Sequence, residues 1–484
     1  MSRLVWAWGV LLLATSAWGQ SPPLPVGGQF QVNSYTTNSQ RLSALALDPA
    51  GNFVVVWGSL GSLGSDADAT SVQGQRYAAG GAPLGGEFQV NTYTTSDQNY
   101  PVVAIDALGD FVVVWYSFGS SADPLTGTIL GQRYAAGGSP QGGQFQINTY
   151  TTSGQFSPAV GMHGAGVFEI AWSSVGSVGV DNSMTSVQGR RYVGAAGGAQ
   201  FEVNTYTTSE QTSPSLALDA GGNFVVVWQS NGAAGDSSLF SIQGRRIEAD
   251  GVPGAQFQVN SYTTNDQRNP KVALNASGAF VVVWDSQGSS GSDTAGTSIQ
   301  GQRYAAGGAA QGTQFQVNTD TGYNQFDPVV AIDGDGDFVV AWSTFPPGNS
   351  SIQGQRFAAG GAALGGQFQI NTVAAVGQFA SIAAAPSGDF VVTWNGYFSG
   401  GNDSSGSSIQ GQRFRVTGDL AGKVFYDLDA NGLQGPGEVG LSGVTVELRD
   451  PSQVVRRTAV TDGLGNYSLQ PKEGDWYLRF VAPP

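Results

Sequence analysis

One tryptophan, closing an apolar run, returns seven times along this chain, at Trp57, Trp115, Trp172, Trp228, Trp284, Trp342 and Trp394, at intervals of 52 to 58 residues. Two further markers keep the same beat. The glycine of a Gln/Leu-Gly-Gln/Arg-Arg tetrapeptide stands at Gly74, Gly131, Gly189, Gly244, Gly301, Gly354 and Gly411, and a phenylalanine opens each unit at Phe30, Phe88, Phe145, Phe201, Phe257, Phe315 and Phe368. Repetition on this scale means one supersecondary unit copied in tandem, because a single copy cannot bury its own apolar face.

Each unit reads as four short strands. The first is Phe30 to Asn33, and the second, around Ala44 to Leu47, alternates small and large apolar residues. The third, Phe53 to Trp57, is a continuous β-branched and aromatic run of the kind a strand covered on both faces requires. The fourth, Val72 to Tyr77, carries an arginine. Asp48 to Asn52 is a turn signal, repeated at Asp106 to Asp110 and Asp219 to Asn223. Four antiparallel strands per copy and seven copies predict an all-β fold whose main body is a seven-bladed β-propeller, spanning residues 29–416. With the small-residue strand innermost, the sequence repeat is offset from the sheet. Phe30 to Asn33 is then expected to complete the last sheet, Ser381 to Phe414, and to close the ring without a covalent bond.

Composition narrows the chemistry. There is no cysteine and one histidine, His163, among 484 residues, so disulfide frameworks, zinc ribbons and most triads are excluded. A formal net charge of −15 opposes nucleic-acid and anionic-lipid binding. Arg3, the apolar run Leu4 to Ala14 and the small-residue pattern Ala17-Trp18-Gly19 read as a secretory signal over residues 1–19, followed by a linker over 20–28. The apolar run is too short to span a bilayer. No transmembrane segment is expected in the mature chain.

Seven arginines occupy one position per unit (Arg76, Arg133, Arg191, Arg246, Arg303, Arg356, Arg413), which points to ion pairs or hydrogen bonds between blades. A ligand-binding cluster would break the symmetry. The variable loops, such as Gly58 to Thr70 and Gly396 to Ser407, carry acids in six of seven copies: Asp66, Asp68, Asp123, Asp181, Asp236, Asp293 and Asp403. Two readings stand, solvated carboxylates on Gly/Ser linkers or a glycan or cation site. Asp333-Gly-Asp335-Gly-Asp337 occupies an ordinary hairpin turn, and His163 stands where other copies have the turn aspartate.

From Gly418 the beat stops. Asp427, Asp429 and Asn431 fall at positions one, three and five of a twelve-residue loop, Gly432 at six, Leu433 at seven and Glu438 at twelve. That spacing suits a hard cation, with Leu433 offering its carbonyl and Glu438 a bidentate carboxylate. The expected cofactor is Ca2+, flanked by strands rather than helices.

The repeat, over Gln29 to Phe414, resembles bacterial secreted propeller-type repeats with a VNxYTT segment followed by FVVVW and GQR. The tail, residues 417–484, carries the calcium loop, then Gly440 to Leu448, then Thr461 to Leu469. It resembles the B domains of serine-aspartate-repeat (SdrD B-like) surface proteins and the collagen-adhesin B modules. That resemblance implies a calcium-stabilised prealbumin/Ig-like β-sandwich acting as a rigid spacer. Some relatives carry a Lys to Asn isopeptide bond assisted by a Glu near the last strand. Tyr477 to Pro484 offers no such Glu, so Lys423 reads as an ordinary strand lysine. Taken together, the sequence predicts a secreted or cell-surface, non-catalytic binding protein of the adhesion type, monomeric, with an extracellular glycan or surface protein as partner. The alternative is a secreted glycan-active propeller enzyme.

Overall fold

The computed structural model describes residues 22–481 apart from 63, 67, 120–125, 165, 182, 233–235, 237–238, 290, 294–295, 347–349, 373–375, 398–405, 417–419, 427–434, 450–452 and 470–476. The signal segment therefore lies outside the described residues. The chain divides into two compact units, one of Pro25–Phe414 and one containing Arg415–Pro484.

Among the described residues, the first unit is built of seven separate antiparallel sheets. Sheet 1 runs Gln40–Leu47 (its lead strand), Phe53–Leu60 (the valine strand), Thr70–Tyr77 (the arginine strand) and Phe88–Gln89. Sheets 2 to 6 repeat this order from lead strands Gln98–Ile105, Gln155–His163, Gln211–Leu218, Gln267–Leu274 and Gln325–Ile332. Sheet 3 differs in having two short outer strands, Ala196–Gly197 and Phe201–Glu202, both paired with Thr185–Val193.

Sheet 7 contains Val376–Ala384, Phe390–Tyr397 and Ser407–Arg415, and its fourth strand is Leu24–Gln31 from the start of the unit. Val32 N–H continues that pairing to Ile409 O at 2.8 Å. The strand runs earlier than the expected Phe30 to Asn33, because Asn33 turns its side chain into the sheet instead. Successive lead strands pack against one another, and Val376–Ala384 packs against Gln40–Leu47, so the succession returns to its start. All seven lead strands contribute to one cavity of roughly 300 Å³, lined by Leu45, Ile105, Met162, Ala217, Leu274, Ala331, Ala383 and their neighbours.

The valine run follows from this arrangement. Alternate residues of one strand point to opposite faces of its sheet. Val54 and Val56 enter a core shared with Phe111, Val113 and Trp115 of sheet 2, while Phe53, Val55 and Trp57 enter a second core shared with Val391 and Ile409 of sheet 7. The valine strand is thus a wall between two cores, which is why nearly all of its residues are apolar. Each such side chain contributes about 1.5–3 kcal/mol by leaving water. Five of the buried tryptophans also donate their indole N–H to the glutamine that opens the lead strand, as Trp115 does to Gln98 at 3.1 Å and Trp172 to Gln155 at 2.8 Å.

The second unit holds a two-stranded sheet, Leu420–Lys423 with Asn466–Leu469, and a three-stranded sheet ordered Val455–Val460, Thr445–Arg449, Tyr477–Val481. Val446, Leu448 and Leu469 form its core, with Val424, Ala459, Tyr467 and Leu478 packed around them. Lys423 lies opposite Asn466 in the first of these sheets, as a paired strand residue.

Candidate functional site

The side chains that recur sevenfold bond sheet to sheet. Arg76 Nη1 donates to Ala136 O of sheet 2 at 2.7 Å, Arg303 to Ala359 O of sheet 6 at 2.6 Å, and Arg413 to Ala79 and Gly80 of sheet 1 at 2.6 Å each. Arg191 reaches Ala249 O in the same way. Arg133 and Arg246 instead bond within their own sheets, to Gln141 O and Glu248. A second recurring link was not read from the sequence. The residue ahead of each opening phenylalanine accepts from the backbone N–H two sheets' ends apart in sequence: Ser34 to Glu87, Thr92 to Gln144, Thr149 to Gln200, Thr205 to Gln256, Ser261 to Gln314, Thr319 to Gln367 and Thr372 to Gln29. The last of these joins the two ends of the array.

Of the described loop acids, Asp68 is exposed and accepts from Ser96 N at 3.1 Å, whereas the other four are buried. Asp66, Asp181, Asp236 and Asp293 are each at most 2% exposed. Each accepts from the side-chain amide of the asparagine that ends the following Phe-Gln/Glu-Val-Asn segment: Asn91 at 2.6 Å, Asn204 at 2.8 Å, Asn260 at 3.0 Å and Asn318 at 2.8 Å. The same asparagine accepts an arginine-strand N–H, as Asn260 does from Ile242 at 2.8 Å, and donates to a carbonyl two residues on. Burial raises the Asp66 carboxyl above its ordinary range, and the Asn91 bond opposes that. These aspartates therefore anchor loops. Asp123 and Asp403 lie outside the described residues. Asp333 behaves as the turn reading expects, its Oδ1 accepting from Asp335 N and Asp337 N.

What breaks the sevenfold pattern stands at the start of the lead strands. Each lead strand bulges at one residue held at φ between 51° and 57°: Leu42, Tyr100, Ser157, Ser213, Asn269, Asp327 and Phe379. The bulge frees a backbone N–H, which at Tyr100 meets Asn99 Oδ1 of its own strand at 3.1 Å and in other copies a side-chain acceptor from the residue after the tryptophan of the preceding sheet. Leu42 N donates to Asn395 Oδ1 at 2.9 Å, Ser213 N to Ser173 Oγ at 3.1 Å and Asn269 N to Gln229 Oε1 at 3.1 Å. In five copies a proline follows, which has no N–H to leave unpaired.

At the boundary of sheets 5 and 6 this position gathers ionisable groups. Asp285, after Trp284, is 5% exposed and accepts from Asn269 Nδ2 at 2.7 Å, while Asp327 N–H approaches the same carboxylate. Asp285 Oδ1 closes no hydrogen bond among the described residues. Burial pushes the Asp285 carboxyl well above its usual range, and the Asp327 charge adds to that. Burial likewise raises Asp327, opposed by Lys271. Lys271 is solvent-accessible, yet it stands on a lead strand with protein on all sides, and the resulting desolvation lowers its ammonium against the pull of the two aspartates.

A second departure is Glu169, which replaces the valine found at Val54, Val112, Val225, Val281, Val339 and Val391. It is 1% exposed and faces Arg191 Nε at 3.3 Å. Burial raises its carboxyl to about 7 against the arginine's opposing pull. His163 stands at the end of its lead strand, and its imidazole is lowered by burial and by Arg191.

Of the residues expected to bind calcium, Asp427, Asp429, Asn431 and Leu433 lie outside the described residues. Glu438 is described and buried, its Oε2 accepting from Gly435 N at 2.7 Å. The loop's ends are brought together by antiparallel bonds from Tyr426 N to Val439 O at 2.9 Å and Leu441 N to Val424 O at 2.8 Å. The flanking residues Tyr426 and Val439 are thus paired, and a buried carboxylate such as Glu438 is the donor a calcium loop needs at its end. Among the described residues no three His, Cys, Asp or Glu side chains form a metal-holding group. No helix among them is long and apolar enough to cross a membrane.

The chain is similar to a solved protein of unknown function from Dyadobacter fermentans, at 10% identity and a TM-score of 0.48, over 82% of this chain and all of that one. It is also similar to serine-aspartate repeat-containing protein D of Staphylococcus aureus, 33% identical over 82 residues, and to Colossin-A of Dictyostelium discoideum, 42% identical over 65 residues. Those matches cover 17% and 13% of this chain, and the chain spans only 6% and 1% of the two relatives. Residues 418–484, which include the two sheets of the second unit, match the model of the SdrD B-like domain.

Proposed function

We propose that the protein is an exported, non-catalytic binding protein in which the seven sheets form a seven-bladed β-propeller and residues 417–484 a calcium-stabilised spacer of the adhesin type. The observation that carries this reading is the SdrD B-like match at 418–484, joined to a repeat whose recurring polar side chains are occupied in bonds between sheets. Such a repeat supplies a rigid scaffold and leaves recognition to positions that differ between copies. Its partner is an extracellular glycan or surface protein, and it acts as a monomer outside the cell. Asp427, Asp429, Asn431, the Leu433 carbonyl and Glu438 would hold the calcium ion, which when bound neutralises their charge and fixes the loop.

The alternative, a glycan-active enzyme, draws on Asp285 and Asp327, two carboxylates present in one copy only. Two assays separate the readings. Melting with calcium and with chelator, on the full chain and on one ending before Gly418, is expected to show a calcium-dependent transition in the full chain alone. An unchanged transition contradicts the calcium loop. Incubation with a polysaccharide panel is expected to give no cleavage products, and turnover would reverse the choice.

A further inference from the structure

The seven bulge residues lie at one level of adjoining lead strands, at the end away from the apolar cavity. Their chemistry divides by position around the cycle. Phe379, Leu42 and Tyr100 come from sheets 7, 1 and 2, which are neighbours, and Phe379 and Tyr100 are 41% and 53% exposed. Tyr116, the residue after Trp115, sits beside Tyr100 and is half-buried. Ser157, Ser213, Asn269 and Asp327 come from sheets 3 to 6 and are all polar, with Asp285 and Lys271 behind the last two.

A left-handed backbone at a non-glycine residue costs about 1–2 kcal/mol. At Leu42, Ser213 and Asn269 a side chain of the neighbouring sheet offsets it by bonding the freed N–H, while Tyr100 N–H bonds Asn99 Oδ1 of its own strand. A preorganised rim that is aromatic on one arc and hydroxyl, amide and carboxylate on the other matches a ligand with an apolar face and a rim of hydroxyls. The formal charges of Arg41, Lys271, Asp285 and Asp327 cancel, in a chain of net charge −15, so no local field attracts an acidic ligand.

We propose that this rim is a binding site for a neutral saccharide, which stacks a sugar face on Tyr100 and Phe379 and hydrogen-bonds its hydroxyls to Asp327 and Asn269. A sugar C–H face offers the aromatic rings dispersion and a polarised edge, and carboxylate acceptors give the stronger, charge-assisted bonds. The site deepens the binding-protein reading and rests on it.

The test is a glycan array of neutral hexose and pentose oligosaccharides beside uronate and sialyl glycans, probed with the full chain, followed by calorimetry with the best-bound neutral glycan. Tyr100→Ala, Phe379→Ala and Asp327→Asn are each expected to weaken binding about tenfold or more with melting unchanged. Leu108→Ala, in a hairpin turn at the other end of sheet 2 and 74% exposed, is expected to leave it intact. Absence of any neutral glycan signal, a preference for acidic glycans, or affinity indifferent to all three rim variants would overturn the site. Reducing-end analysis of the same mixtures keeps the two levels apart. Cleaved glycan would overturn the non-catalytic reading, whereas intact glycan that ignores the rim variants overturns only this site.

Discussion

Glu169 shows how one residue can change the energetics of a repeat without changing its shape. A carboxyl takes a valine's place between two cores, and a single partly exposed arginine faces it. The fold therefore prefers the protonated form, whose pKa is about 7 against an ordinary 4.5. Because the native state holds the proton more tightly than the unfolded chain, this group's contribution is most favourable at low pH. It is lost as pH rises from about 4.5 to about 7 and levels off above, a change of about 3 kcal/mol. His163, favoured neutral, works in the opposite sense below its ordinary value. Glu169→Gln isolates the effect: urea unfolding from pH 4 to pH 8 is expected to show the variant gaining stability over the parent as pH rises. A difference that stays flat across that range would contradict the buried-carboxyl account. The loop aspartates teach a related lesson, since acids that read as surface groups are buried anchors.

At the scale of the element, the recurring glycine of the arginine strand has a steric cause. A Cβ on Gly244 would stand 2.7 Å from Phe257 Cζ, and the same contact recurs at Gly74 with Phe88, Gly301 with Phe315 and Gly411 with Phe30. The ring of the outer strand lies flat on that backbone. Gly244→Ala is expected to destabilise by about 1–3 kcal/mol through overpacking, and adding Phe257→Leu to recover part of the loss in a double-mutant cycle. Additive effects would show that the ring does not set the glycine.

Much of this was legible in the residues. The valine run, the turn aspartates and the glycine each announce a strand or a hairpin by local chemistry. The bulges at Leu42 and its equivalents were not legible, because Leu, Tyr, Ser, Asn, Asp and Phe share no side-chain property and what they share is a backbone angle. The Asp–Asn latch had a signal, an acid 23 to 25 residues ahead of Asn91, Asn204, Asn260 and Asn318. Asp285 and Lys271 are unremarkable in sequence. They become a site only when sheets 5 and 6 meet.

For the whole molecule, the account rests on closure. Seven sheets that each share a core with the next leave two apolar faces bare unless sheet 7 meets sheet 1, and the described core of Val55, Trp57, Leu45, Val391 and Ile409 is that meeting. Leu24–Gln31 fastens it from the far end of the sequence, and Gln29 bonds both Gln410, at 3.1 Å, and Thr372, at 3.1 Å. The chain contains no cysteine, so a Gln31→Cys/Gln410→Cys variant, next to the bond from Val32 N–H to Ile409 O, carries only the two thiols needed to ask whether those ends meet. Oxidation of the folded monomer followed by mass spectrometry is predicted to yield one disulfide within each chain, linking positions 31 and 410. Thiols that stay free, or that pair only between chains, would contradict the closed ring.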